Sequence, residues 1–209
     1  LHIGSWGTHG VRAANFAVQN ADLVIAIGTR LDTKATGSPA SSFASKAELV
    51  MVDIDVNELG KMMIIGRPTV GIRADAAEFI EALQEAGDYL DLLAKVEKWK
   101  EDYPAVLPEY DPTSPYRIMQ RLMGLLTPDD LVVSDTGCPL AWAMQVGLKC
   151  RFLHAMNQTP MGYGLPASIG AAATHKGRVI LITGDGGLSV NITEMATIAK
   201  HKMDVRVIL

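Results

Sequence analysis

Continuous apolar runs punctuate the chain at residues 23–27, 49–54, 69–72, 131–134, 179–183 and 205–209. Runs of this length that do not alternate with polar residues predict strands covered on both faces, as in parallel sheets. Between them the apolar positions change to helical spacing. Val11, Ala14, Val18 and Ala21 share one face of a helix over 11–20, and Ala77, Ile80 and Leu83 mark another over 74–86. Further helices are predicted over 115–126, 140–148, 165–175 and 192–201. Strands that alternate with helices define an α/β fold, here two doubly wound parallel-sheet domains.

The pattern breaks between residues 87 and 112. A charged amphipathic stretch at 90–100 is followed by Pro104, Pro108, Pro112 and Pro115. Prolines this close together stop helices and extend the backbone. The segment is read as a linker joining a first domain, 1–86, to a second, 113–209. Leu1 is not an initiator methionine, and 205–209 reads as a buried strand. The sequence is therefore expected to be part of a longer protein.

Composition narrows the function. Hydrophobic residues make up 48% of the 209 positions, enough for two buried cores and too many for a disordered chain. Net charge is −4 with no cluster of Lys or Arg, which argues against nucleic acid and anionic membranes as partners. The longest apolar stretch, 21–31, is broken by Asp22 and Arg30 and falls short of the ~20 residues of a membrane span. Cys138 and Cys150 lack metal or redox spacing, so a reducing cytoplasm is the simple expectation. No Ser sits in a nucleophile elbow, and neither Cys has a His at recognisable spacing.

Two glycine motifs carry candidate chemistry. The run Ile180–Thr183 leads into Gly184-Asp185-Gly186-Gly187, with a helical pattern from 191 onward. Glycines at a strand end let backbone N–H groups close around an anion, and a helix N-terminus adds favourable potential for phosphate. Asp185 in that turn supplies the hard carboxylate that Mg²⁺ takes alongside phosphate oxygens. The alternative is an ordinary structural turn. The second motif is Met161-Gly-Tyr-Gly-Leu-Pro-Ala167. Its Gly162-x-Gly164-x-x-Ala167 imitates a dinucleotide fingerprint, with Asp185 downstream for a ribose. The polar loop 157–160 before it and Pro166 inside it spoil that context. Small residues that bring a helix close to a cofactor, with Met161 exposed at the entrance, remain an option. So does tight packing without a ligand.

In the first domain, the turn Gly4-Ser-Trp-Gly7-Thr-His9-Gly10 opens a helix. Gly28, Arg30 and Asp32 follow one strand, and Asp53 and Asp55 follow the next. Ligands bind at such strand ends in open α/β sheets. His9 is read as a cap or packed residue before a ligand, and capping is expected of Asp53 or Asp55 before metal binding.

In order along the chain, Gly7-Thr-His-Gly10, Ala14-Asn15, Ala21-Asp22-Leu23, Gly28-Thr-Arg30, Asp53-Ile-Asp55, Trp142, Gln145, Met161–Pro166 and Gly184-Asp-Gly186 resemble one family. It is that of the acetolactate synthase large subunits, among the thiamine-diphosphate-dependent decarboxylases and carboligases. The resemblance implies a central domain followed by a diphosphate-binding domain. It makes Asp185 the first Mg²⁺ ligand, with the second, an Asn, expected beyond Leu209. It assigns Gly184, Gly186 and Gly187, with Gly137 and Gly162, to thiamine diphosphate. Met161 becomes the apolar wedge that holds the cofactor bent for catalysis. The resemblance also brings in FAD, through His9, Gly28, Arg30, Asp32 and Asp53. The implied reaction is decarboxylation of pyruvate and transfer to a second 2-keto acid, giving a 2-aceto-2-hydroxy acid. The site would lie at the interface of a homodimer or tetramer, with a glutamate from a neighbouring N-terminal domain. The 209-residue chain by itself is then expected to be inactive.

Some positions depart from that pattern. Gly137-Cys-Pro-Leu-Ala141 replaces the family's polar Gly-Gln-His-Gln-Met, Lys34 stands for the second Arg of the flavin segment, and Thr8 stands for a Met. Lys cannot reproduce the planar fork of Arg. Two alternatives stay open: a related decarboxylase with another acceptor, and a non-catalytic nucleotide-binding module.

Overall fold

The computed structural model describes residues 2–64, 66–67, 69–83 and 90–209. The chain divides into two compact units, Leu1–Pro104 and Ala105–Leu209.

The first unit is built on a parallel sheet in the order β1 (Leu23–Ile27), β2 (Glu48–Asp53), β3 (Val70–Arg73). Helix α1 (Arg12–Gln19) precedes β1, and the short α2 (Thr33–Thr36) follows it. Helix α3 (Val56–Ile64) joins β2 to β3, and α4 (Ala76–Ala82) follows β3, capped by the Asp75 carboxylate. The core gathers Ala26, Leu31, Phe43, Leu49, Met51 and Met62. The expectation of strands buried on both faces holds for β2 but not for β1, where Leu23 and Ile25 are 51% and 39% exposed, nor for β3, where Val70 is exposed. The helix expected to run to residue 86 reaches Ala82, and residues 84–89 lie outside the described ones. The charged stretch read as linker forms α5 (Leu90–Asp102), which packs on α1. Phe16 meets Tyr103 and Trp99 there, with ring centroids 4.6 and 6.3 Å apart.

The second unit holds a four-stranded parallel sheet in the order β5 (Arg151–His154), β4 (Leu131–Ser134), β6 (Val179–Ile182), β7 (Val205–Ile208). Strand side chains alternate between two cores. Leu131, Val133, Val179 and Leu181 pack with α8 (Gly164–Thr174) and with Ile198 of α10 (Met195–His201). Val132, Ile180 and Ile182 pack with α6 (Pro115–Gly124) and α7 (Cys138–Val146). The final strand was expected to be buried; it is the half-exposed edge of this sheet. Chain order reverses across β4: the chain leaves β4 for β5 on one side and returns to β6 on the other. Crevices at the carboxyl ends of strands flanking such a reversal are where α/β sheets bind ligands.

One ion pair ties the opposite end of this sheet. Arg178 Nε and Nη2 donate to the Asp130 carboxylate at 2.7 and 2.6 Å, and the Thr127 amide donates at 2.6 Å. The Arg178 hydrogen bonds, opposed by burial and aided by Thr127, hold the Asp130 carboxyl well below the usual carboxylate range. A carboxyl whose folded value is depressed stabilises the fold above its unfolded value and loses that contribution as pH falls toward the folded one. Asp130→Asn is therefore expected to lower the Tm by several degrees at pH 7. The gap from the unmodified protein should narrow steadily below about pH 4. Thermal unfolding of both proteins across that range checks it, and a gap that does not change with pH contradicts it.

Candidate functional site

The two glycine motifs of the second unit meet at the crevice between β4 and β6. Helix α9 (Asp185–Val190) begins at Asp185, directly after β6. The sequence pattern predicts a helix from 191 onward, with the glycines in a loop before it. Gly186 and Gly187 instead form the first turn of α9. Gly184 is its N-cap, and no side chain among the described residues caps it. First-turn amides of a helix have no intrahelical acceptor. A Cβ on Gly184 would meet nothing within 4 Å, so the N-cap borders open space. The Asp185 side chain is exposed beside it.

Met161 reaches this turn from the loop after β5. It is 57% exposed, and its Cε lies 2.9 Å from where a Gly186 Cβ would stand. Gly162 is buried with φ +85°, a conformation L side chains rarely adopt. A Cβ there would fall 2.6 Å from Val190 Cγ1. Gly137 follows β4 as the N-cap of α7, so Cys138 and Pro139 open that helix, with Cys138 exposed. Trp142 and Gln145 of α7 turn to α6 instead, where Tyr116 Oη donates to Gln145 Oε1 at 2.6 Å and stacks edge-on to Trp142.

No motif in the sequence marks Asp135 or Asn191. Asp135 is 1% exposed, immediately after β4, and accepts from the Thr136, Gly162 and Gly164 amides. Asn191 Nδ2 donates to the Gly162 carbonyl at 2.7 Å. An acidic residue directly after the buried run Leu131-Val-Val-Ser134 is the one signal the sequence offers. Its partners lie 27 and 29 positions away, out of reach of any local motif.

Gly186 and Gly187 have different neighbours. A Cβ on Gly187 would stand 2.8 Å from Asp135 Oδ2 and 2.9 Å from Thr183 Oγ1, both in a buried setting. On Gly186 it would meet only the mobile end of Met161. Gly187→Ala should therefore cost about 1–3 kcal/mol of stability as overpacking. Gly186→Ala should leave stability nearly unchanged. Thermal unfolding of the two variants checks this, and equal losses would contradict it.

The residues singled out in the first unit also gather at strand ends, and each has a partner within that unit. The Gly28 amide bonds Val52 O across β1 and β2. Arg30 Nε lies 3.3 Å from Glu58 Oε1, and Lys61 Nζ contacts both Glu58 and the Arg30 carbonyl. Asp32 Oδ1 caps α2 through the Lys34 and Ala35 amides. Asp53 Oδ1 accepts from the Asp55 amide, and Asp55 Oδ1 from that of Asn57 in the first turn of α3. The capping expected of one of these two aspartates thus falls to Asp55. His9 is half-buried and 3.0 Å from Thr8 Oγ1; burial, then the charge of Lys34, hold its imidazole below the usual range. Its turn is fixed to α2 by the Thr8 amide on Lys34 O at 2.8 Å. Among the described residues, no cluster of three or more His, Cys, Asp or Glu side chains stands ready to hold a metal, and no helix is long and apolar enough to cross a membrane.

Comparison with known proteins places this geometry in a class. Residues 1–83 match "Thiamine pyrophosphate enzyme, central domain", and 135–209 match "Thiamine pyrophosphate enzyme, C-terminal TPP binding domain". The chain belongs to the thiamine pyrophosphate enzyme family. Within that class it is similar to acetolactate synthases. It is 34% identical to the acetolactate synthase isozyme 1 large subunit of Escherichia coli (strain K12), across 100% of this chain and 38% of that protein. It is 33% identical to the acetolactate synthase large subunit of Porphyra purpurea, over 99% of this chain and 36% of the relative. For the probable acetolactate synthase 2, chloroplastic, of Oryza sativa subsp. japonica the values are 35%, 100% and 34%. The chain thus spans little more than a third of the length of these relatives.

Proposed function

We propose that the whole protein decarboxylates a 2-keto acid such as pyruvate and joins the remaining two-carbon unit to a second 2-keto acid, as an acetolactate synthase does. The observation that carries this reading is the meeting of Met161 with the uncapped first turn of α9. An apolar side chain projects over a turn whose amides have no intrahelical acceptor, with open space at its N-cap and an exposed carboxylate beside it. That combination suits a ligand with an apolar body and an anionic tail. Thiamine diphosphate, when bound, supplies the electron sink for decarboxylation, while protein groups bind and orient it.

In this reading the amides at Gly184, Gly186 and Gly187 hold the diphosphate. Asp185 supplies one carboxylate to Mg²⁺, which takes one or two carboxylates and completes its shell with phosphate oxygens and water. Gly137 and Gly162 let backbone approach the cofactor closely, and Met161 sets its shape. The divisions proposed from sequence, 1–86 and 113–209, serve as central and diphosphate-binding domains. Homo-oligomeric assembly with a shared active site and residence in the cytoplasm belong to the same proposal. The flavin part has less support. Arg30, Asp32 and Asp53 are each engaged within the first unit, and no step depends on FAD.

A second reading changes only the acceptor. Cys138 and Pro139 stand at the start of α7, where the resembled family has polar side chains. Their loss favours a related decarboxylase whose acceptor is less polar.

The test is thermal. Thiamine diphosphate with Mg²⁺ should raise the Tm of the whole protein, since a ligand that binds only the folded state stabilises it by mass action. NAD should not. A shift with NAD and none with thiamine diphosphate would favour the nucleotide-binding alternative and overturn the proposal.

A further inference from the structure

Met161 and the first turn of α9 belong to separate stretches of chain, and their meeting needs something to hold it. Gly162, the residue after Met161, is gripped at both ends of its backbone. Its amide donates to Asp135 Oδ1 at 3.2 Å, and its carbonyl accepts from Asn191 Nδ2 at 2.7 Å. The other oxygen of Asp135 accepts from Gly164 N at 3.1 Å, and Thr136 N donates to Oδ1 at 2.8 Å. Asp135 is itself fixed to the neighbouring strand by its amide on Ile182 O at 2.9 Å. Asn191 directly follows α9. One grip therefore comes from the end of β4 and the other from the end of α9.

We propose that Asp135 and Asn191 form a clamp on Gly162 that positions Met161 over α9. They are positioning residues that act through Met161. The inference rests on the thiamine diphosphate reading for its catalytic consequence, but not for the clamp itself. A carboxylate suits the place because it offers only acceptors, and three amides converge on it. An amide of the same shape cannot do this. Whichever way Asn turns at position 135, its NH₂ faces an amide N–H, that of Gly164 in one orientation and those of Gly162 and Thr136 in the other, so the carboxylate's set of three bonds cannot be kept. Asn191 has the converse role, as a donor to a carbonyl.

The experiment compares the unmodified whole protein with Asp135→Asn, Asn191→Ala, Met161→Ala and the double variant Asp135→Asn/Met161→Ala. Without cofactor, amide hydrogen exchange at Gly162 or at Gly164, whichever the new NH₂ faces, should accelerate about tenfold or more in Asp135→Asn. With saturating thiamine diphosphate and Mg²⁺, kcat should fall about tenfold while cofactor affinity stays within about threefold. In the Met161→Ala background, Asp135→Asn should cost little more, because both act through one side chain. Unchanged exchange in Asp135→Asn, or an additive loss of kcat in the double variant, overturns the clamp. Should Asp135→Asn fail to fold, Asn191→Ala carries the same test, with faster exchange at Gly162 expected and unchanged exchange contradicting it. An unmodified protein that does not bind thiamine diphosphate would overturn the functional reading, whereas the exchange arm decides the clamp without any cofactor.

Discussion

Replacing Asp185 with alanine in the whole protein is expected to abolish Mg²⁺-dependent binding of thiamine diphosphate. The carboxylate is exposed at the first position of α9, beside amides that have no intrahelical acceptor. A diphosphate at that turn brings several negative charges against Asp185, a repulsive arrangement unless a cation lies between them. Mg²⁺ meets that need, since it demands hard oxygen ligands in near-octahedral geometry. Alanine removes the protein's oxygen, and the diphosphate would then rely on backbone amides alone. Asp185→Asn should keep part of the binding, because its carbonyl oxygen still coordinates but without charge. Cofactor titration with and without Mg²⁺ checks the series. Undiminished affinity in the alanine variant would make the turn a purely structural feature.

Met161→Ala should lower kcat by on the order of 10²-fold, because misplacing a reacting pair by a small distance has that effect. Affinity for the cofactor should change far less, since the proposed diphosphate and Mg²⁺ contacts do not involve this side chain. Met161→Leu should retain most of the activity, as volume and apolarity are close. The side chain is 57% exposed and ends beside Gly186, so its removal leaves no internal cavity and little loss of stability. Steady-state kinetics at saturating cofactor, beside a direct titration, separate turnover from binding. Wild-type turnover in the alanine variant would reduce Met161 to a surface methionine.

Much of this arrangement was legible in the chain because it is local. The strand at 131–134, three apolar residues and Ser134, is buried in full, and the sheet shows it with those bounds. Other elements were hidden for physical reasons. Helix α3 is short and has Gly60 in its middle, and of its helically spaced apolar residues Val56, Leu59, Met62 and Met63 only Met62 is buried. The start of α9 looked like a loop because glycine weakens helices. Position 187 takes glycine within the helix because a side chain there would strike Asp135. Asp135 shows its role only once parallel pairing of β4 and β6 brings the start of α8 to its carboxylate. In the first unit, Gly28, Arg30 and Asp53 do collect at strand ends as the pattern indicated, yet their partners there belong to the chain itself.

Calorimetric titration of the whole, unmodified protein with thiamine diphosphate tests the central claim most directly. One saturable binding event per chain in the presence of Mg²⁺, lost when the metal is chelated, is the result the account predicts. No binding, or binding of equal strength without any divalent cation, would contradict it.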